Sequence, residues 1–459
     1  MRFATLLLSA SLSVACSTVF AQTKTPTFEW VATGGGMGNG KTRAINVDRE
    51  SNVFLAGEVS GEGKFGDVAI KAEGAMDAFV AKVDPKGHFL WFQTLGGKMI
   101  DRCYGVACDK AGNVYVTGHN QITEAPQPGK GPTSGGDYDI FVAKYDPNGK
   151  QLWVRTAGGK GYDYGHGLVV DNKGDIVVTG GVVGESHFGD LAVPNDLGSH
   201  VFCAKYNAEG KLLWVKTSTG KNSSNEGEAL SVDGQDNIYI GGGCSGPGMF
   251  GNKEIKAVGK GRNAYVLKLN AQGEAQWATV HPGDPSGIVS NITADTQGRV
   301  WVSGIFAGKA TFGSETFSTT ADPKDKDGFV AHYDTNGNLL WAHAVQGPQI
   351  DYGLGIATDG KGHSFLVGEF MDTTRLAGGT LQSRGSQDIY VAGFDEKGTL
   401  EWLVQAGGEK GDNCYTAACD ATGAIVIGGA CVGPATFGDQ KVEATKYAHL
   451  YGAKLRVKP

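Results

Sequence analysis

GGKMIDRCYGVACDKAGNVYVTG (96–118) is followed, after a variable insert, by FVAKYDPNGKQLW (141–153), and both phrases return around the chain. One period later they read GGKGYDYGHGLVVDNKGDIVVTG (158–180) and FCAKYNAEGKLLW (202–214); FVAKVDPKGHFLW (79–91) and FVAHYDTNGNLLW (329–341) repeat the second. Each phrase places two Val/Ile/Phe/Tyr-rich runs about a Gly-containing turn, the pattern of a β-hairpin. One period thus holds four strands, A to D in chain order. Tryptophan fixes its length: Trp30, Trp91, Trp153, Trp214, Trp277, Trp341 and Trp402 lie 61 to 64 residues apart, and only Trp301 falls outside the series.

The strands differ in character as the strands of a propeller blade do, where sheets stack face to face around an axis. Strand B is apolar on both faces (VFLAG, VYVTG, IVVTG, VWVSG), as a strand sandwiched between neighbouring sheets must be. Strand D mixes in polar residues (WVRT, WVKT), which suits an outer edge in contact with water. Strand A carries small residues in one column, Ala44, Gly105, Gly167, Ala229 and Gly355, as expected where sheets converge. The last repeat ends at strand C (449–457), while the chain's first strand-like run (27–33) is a lone strand D, so the two are expected to complete one blade. The predicted fold is all-β: a seven-bladed β-propeller of four-stranded blades, closed by its N-terminal strand. No Pro/Ser-rich break interrupts the register, so residues 22–459 read as one domain.

Residues 1–21 read as a signal peptide, with Arg2, an apolar run from Ala4 to Ala15 and the small-x-small end Val19-Phe20-Ala21. A lipid anchor on Cys16 is the alternative, although Ser13 stands where a lipobox has leucine. The expected compartment is periplasmic or extracellular. No later stretch approaches eighteen consecutive apolar residues, so no transmembrane segment is expected. Loss of Arg2 takes the formal net charge from −7 to −8. Lysines recur once per repeat instead of clustering, so a nucleic-acid partner is not expected.

The repeat resembles that of the bacterial β-propeller family labelled SBBP, whose unit reads roughly G-G-x4-D-x-x-G, then Asp-x-x-Gly-Asn, an aromatic-Val-Ala-Lys strand and a Leu-Trp strand. Residues 96–118 and 158–180 carry this pattern almost whole, and the resemblance covers essentially all of 22–459. Repeats four and five depart from it, with Asn225 and Gly287 in the Asp column. The resemblance implies an extracytoplasmic propeller and brings no catalytic residues with it.

Connections A to B and C to D are short, whereas the D to A and the long B to C loops fall on the opposite rim, where binding sites are expected. The second repeat departs most, with 119–139 replacing the Phe-Gly motif found at Phe65, Phe188, Phe250, Phe312 and Phe437. One column at the entrance to strand A varies strongly: Arg43, Tyr104, His166, Glu228, Ser290, Leu354, Tyr415. These side chains are expected to ring the mouth of the central channel. Arg43, Tyr104, His166, Glu228 and Tyr415 are the ligand-binding candidates, since polar and aromatic groups converging on a concavity make a binding site. The bland alternative is that strand ends near solvent accept any residue.

The Asp column (Asp101, Asp163, Asp351, Asp412) reads as turn chemistry. No G-x-S-x-G, Walker or H-E-x-x-H signature occurs, and the ten histidines lack metal-ligand spacing. No catalytic residue, metal or cofactor is therefore assigned. Removing the leader leaves seven cysteines, an odd number. Cys103 with Cys108, and Cys414 with Cys419, lie too far apart along an extended strand to bond. Cys414 and Cys431 fall on the two arms of one hairpin and are the candidate disulfide.

Two functions follow, beside a third reading, a purely structural envelope repeat, which would show no well-formed pocket. The first is an exported, monomeric binding scaffold for a protein, glycan or small molecule. The second is an extracytoplasmic hydrolase or lyase acting on a polysaccharide or other polymer at the channel mouth. An enzyme should gather two or more titratable groups around a common point in the mouth, and a binding platform should show aromatic and polar groups without such a pair.

Overall fold

The computed structural model describes residues 22, 24–36, 38–121, 138–193, 198–320, 322, 325–443 and 445–458. The leader and most of the divergent insert of the second repeat lie outside these residues. Among the described residues all regular structure is β.

Antiparallel pairing assembles these strands into seven four-stranded units. In the first, strand A (Gly40–Val47) pairs with B (Val53–Val59), B with C (Asp77–Val83) and C with D (Phe89–Leu95). The seventh takes A, B and C from Asn413–Cys419, Ile425–Cys431 and His449–Val457, and D from the other end of the chain, Pro26–Gly36. Thr27 faces Arg456 and Gly34 faces Leu450 in that closing pair. Each strand A touches the strand A of the next unit, and the seventh touches the first, so the inner strands form a ring.

Burial follows the layers. Every residue of strand B in the first and last units is buried, whereas Phe89–Leu95 alternates between covered and exposed positions. The small column of strand A lies at the crowded centre. A methyl on Gly105 would approach the His166 carbonyl oxygen to 2.7 Å, and one on Gly167 would approach the Leu230 nitrogen equally closely. Close packing at the axis therefore excludes a β-carbon at these two positions.

Two devices tie neighbours together. In six of the seven strands D the tryptophan reaches the C–D turn of the next unit: Trp91 Nε1 donates to the Pro147 carbonyl at 3.0 Å, and its ring covers Gly149, a turn residue at φ 84°. Trp402 has no such turn to reach, because the seventh unit's C and D strands come from opposite chain ends. Its ring folds inward over Gly393 instead and is only 1% exposed. The second device uses the B–C inserts. Those carrying Phe65, Phe188, Phe250 and Phe437 form hairpins that pair with strand D of the preceding unit, as in Ala157 opposite Phe188 and Ala406 opposite Phe437. Each phenylalanine is at most 1% exposed. These inserts are clasps between units, a structural role the sequence reading had not given them.

The Cys414–Cys431 bridge is not formed; both thiols are free. Register explains why. Cys414 stands opposite Gly429, two residues short of Cys431, which itself faces His449 on strand C. Such diagonal neighbours lie about 7–8 Å apart, beyond the usual disulfide span. Both cysteines are buried in one apolar cluster, as small core residues.

Candidate functional site

The mouth column owes its direction to a repeated irregularity. In all seven units the A–B register slips by one residue: between Thr42 and Ala44, Cys103 and Gly105, Gly165 and Gly167, Gly227 and Ala229, Val289 and Asn291, Gly353 and Gly355, and Cys414 and Thr416. The skipped residue is each time the member of the variable column. A β-bulge leaves its extra residue unpaired and re-aims the side chain. Here all seven line one central cavity of about 750 Å³, which runs down the inner strands to Asp295, Asp359 and Asp420.

The sequence makes the bulge possible with one glycine per repeat, the last of the VTG, VSG or IGG run of strand B. Gly57, Gly118, Gly180, Gly242, Gly304, Gly368 and Gly429 stand opposite the residue before each bulge. A methyl on any of them would collide with a strand-A carbonyl oxygen, that of Arg102 in the case of Gly118. The residue after the glycine lies beside the bulge, which is how Glu58, His119 and Glu369 come against Arg43, Tyr104 and Tyr415.

Around the ring, five members form a continuous arc. Arg43 lies between Tyr415 and Tyr104, its guanidinium carbon 5.1 Å and 5.4 Å from their ring centroids, within cation–π range. Its Nε and Nη2 donate to Glu58 at 3.0 Å and 2.7 Å. Glu58 is 2% exposed, and Arg102 Nε approaches it to 3.6 Å. Tyr104 stacks on His166 at 4.2 Å, and His166 Nδ1 lies 2.7 Å from Glu228 Oε2. Arg262 closes the arc, 2.5 Å from Glu226 and 3.7 Å from Glu228. Ser290 and Leu354 complete the rim without ionisable groups.

Titration behaviour divides these groups. Burial pushes the phenols of Tyr104, Tyr162, Tyr164 and Tyr415 up, so they stay neutral. Burial also acts to raise the Glu228 carboxyl, but His166 and then Arg262 outweigh it and hold that group below its ordinary value. His119 is pushed down to about 3 by burial, hence neutral, and neither of its ring nitrogens has a hydrogen-bond partner. Burial lifts Glu369 to about 7, against the hydrogen bond it accepts from Asn413 Nδ2 at 2.6 Å.

The Asp column serves the D–A turns. Asp163 accepts from the backbone N–H of Gly159 (2.6 Å) and Val183 (2.7 Å), and Asp412 from those of Gly408 (2.8 Å) and Val432 (3.0 Å). Among the described residues no group of three or more His, Cys, Asp or Glu is arranged to hold a metal ion. No helix there is long and apolar enough to cross a membrane.

Sequence reasoning found the seven-member column from periodicity alone. It missed Glu58, His119, Glu226, Arg262 and Glu369. For Glu58, His119 and Glu369 a signal existed, namely the residue after the strand-B glycine. Glu226 precedes its column residue by two, and Arg262 stands just before strand C, where the other described repeats have Met76, Tyr138, Gly198, Lys326, Gln387 and Ala448.

No family model matches the chain. It is 24% identical over 443 residues to an uncharacterized WD repeat-containing protein of Acanthamoeba polyphaga mimivirus, covering 77% of this chain and 32% of that protein. It is 25% identical over 398 residues to the regulatory protein FlaEY of Caulobacter vibrioides, covering 79% and 40%. The chain thus spans between about a third and two-fifths of the length of these curated relatives. Among solved structures, the polysaccharide lyase Uly1 aligns over 90% of both chains with 12% identity and a TM-score of 0.45.

Proposed function

We propose that residues 22–459 form an exported, monomeric seven-bladed β-propeller of the SBBP type that acts as a binding scaffold, taking its ligand at the channel mouth. The observation that carries this reading is the set of seven bulges. They turn the variable column of every repeat into one cavity, and five consecutive members form an arc of aromatic and charged side chains. Variable side chains on a constant frame are the arrangement of a recognition surface. The neutral phenols favour binding over proton transfer, since a tyrosine base needs a lowered pKa. The composition of residues 1–21 supports export.

A second reading, a hydrolase or lyase working on a polysaccharide or other polymer, draws on the His166–Glu228 pair and on Glu369 near neutrality, groups of the kind acid–base chemistry uses.

The test is a thermal-shift screen of the protein against glycans, peptides, small molecules and metal ions, because a ligand bound only by the folded state raises its melting temperature. A shift abolished by the triple change Tyr104→Ala, His166→Ala, Glu228→Ala is expected. A shift untouched by that variant, or no shift with any compound, contradicts the reading. Product formed from a polymer, lost in His166→Ala, transfers the assignment to the enzyme.

A further inference from the structure

Beside the central channel, and opening from the same mouth, lies a second cavity of about 400 Å³. Its walls are aromatic. Tyr104 lies 5.4 Å from His119, His119 5.6 Å from Tyr162, Tyr162 5.6 Å from Tyr164, Tyr164 5.3 Å from His166, and His166 4.2 Å from Tyr104. The five rings therefore form a closed circle, and all five line the cavity. Tyr138 packs against two of them from outside, 4.8 Å from His119 and 4.7 Å from Tyr162.

Two carboxylates, Glu226 and Glu228, also line this cavity, and no lysine or arginine does among the described residues. Arg262 bridges both carboxylates, and Arg102 stands behind Tyr104, His119 and Tyr162 beside the Arg43–Glu58 pair, so basic groups back the cage as well as acidic ones. His119 adds a π surface without charge, and its nitrogens remain without partners in a side chain only 1% exposed.

We propose that this aromatic cage binds an organic monocation, a quaternary or alkylated ammonium group. The inference deepens the reading of the mouth as a ligand site and rests on it. The ring faces carry the negative side of their quadrupoles, so a cation is attracted to those faces that the Tyr104–His166 stack and Arg43 leave uncovered. An alkylated ammonium is weakly hydrated and fills such a space without needing a hydrogen bond from each wall.

The experiment is isothermal titration of the protein with choline and with 3,3-dimethylbutan-1-ol, its neutral isostere of the same shape. Choline is expected to bind at least about tenfold more tightly, the ratio corresponding to a cation–π gain in a desolvated site. Tyr162 is 41% exposed, so its replacement spares the core. Tyr162→Leu should weaken choline at least about fivefold while Tyr162→Phe retains it, both melting near the wild type. Equal affinity for the two compounds, no binding of either, or indifference to Tyr162→Leu overturns the proposal. If choline fails while another compound binds and is lost in the Tyr104/His166/Glu228 triple variant, the mouth reading stands without the cation. If nothing binds, both fall.

Discussion

Replacing Gly118 with alanine tests how the repeat aims its site residues. The added methyl would fall well under 3.0 Å from the Arg102 carbonyl oxygen, a distance real β-carbons do not show. The obstacle is backbone, with no flexible side chain to swing aside, so strands A and B of the second unit must part by about 1 Å or the bulge must be lost. Overpacking of this kind costs about 1–3 kcal/mol. With an unfolding entropy of ~2.1 cal/mol/K per residue over about 400 residues, that is a fall of about 1–4 °C in Tm. The larger effect should be on the site. Loss of the bulge restores ordinary pairing and turns Tyr104 off the rim, removing the ring that lies between Arg43 and His166. Gly97→Ala is the control, since a methyl there meets nothing within 4 Å. Urea denaturation, with ligand binding measured on the same samples, should show Gly118→Ala less stable and binding-deficient and Gly97→Ala unchanged. Equal stability of the two variants, or full binding by Gly118→Ala, would refute the argument that this glycine positions the site.

Other expectations concern charge and thiols. Glu58→Gln leaves the Arg43 guanidinium with at most one of its two acceptors and should cost about 2–4 kcal/mol, much of it recovered in the Arg43→Met/Glu58→Gln double variant; a non-interacting pair in a double-mutant cycle contradicts the geometry. Burial raises several carboxyls, Asp101 and Asp412 to about 6, Asp139 and Asp327 to about 7, Asp351 to about 8. Their unfolded values lie near 3.9, so between about pH 4 and 8 the folded state holds more protons, and their contribution is lost as pH rises through the folded values. Tm should therefore fall between about pH 6.5 and pH 8.5, with a shallower slope in Asp351→Asn, whereas below about pH 6.5 the buried neutral His119, His281 and His332 act in the opposite direction. Burial pushes the thiols of Cys103, Cys108, Cys244, Cys414, Cys419 and Cys431 up to about 12. A thiol disulfide reagent should stay without effect on the folded protein, and a reductant should leave Tm unchanged.

How far the sequence revealed this molecule depends on which interactions repeat. The hairpins, the buried strand B and the crowded Gly105 and Gly167 were legible because each repeat solves the same packing problem with the same residue types. The mouth column was legible for the opposite reason, as the one place near a strand where the repeats disagree. The bulge was hidden, since a glycine closing an apolar strand reads as a turn residue unless the opposing carbonyl is in view. The pairings of Arg43 with Glu58 and of Arg262 with Glu226 were hidden too, because in neither case does a second repeat carry both partners in the matching positions. The proposed Cys414–Cys431 bridge failed on two residues of register, which only the strand pairing fixes.

The central claim is that the seven bulges build a binding mouth. It is tested most directly by the structure of the protein with the compound that raises its Tm most. The account predicts that compound against the arc from Tyr415 to Glu228, in contact with Tyr104 and His166. A compound seated only on the outer faces or at the A–B turn end of the channel, with the mouth empty, would contradict it.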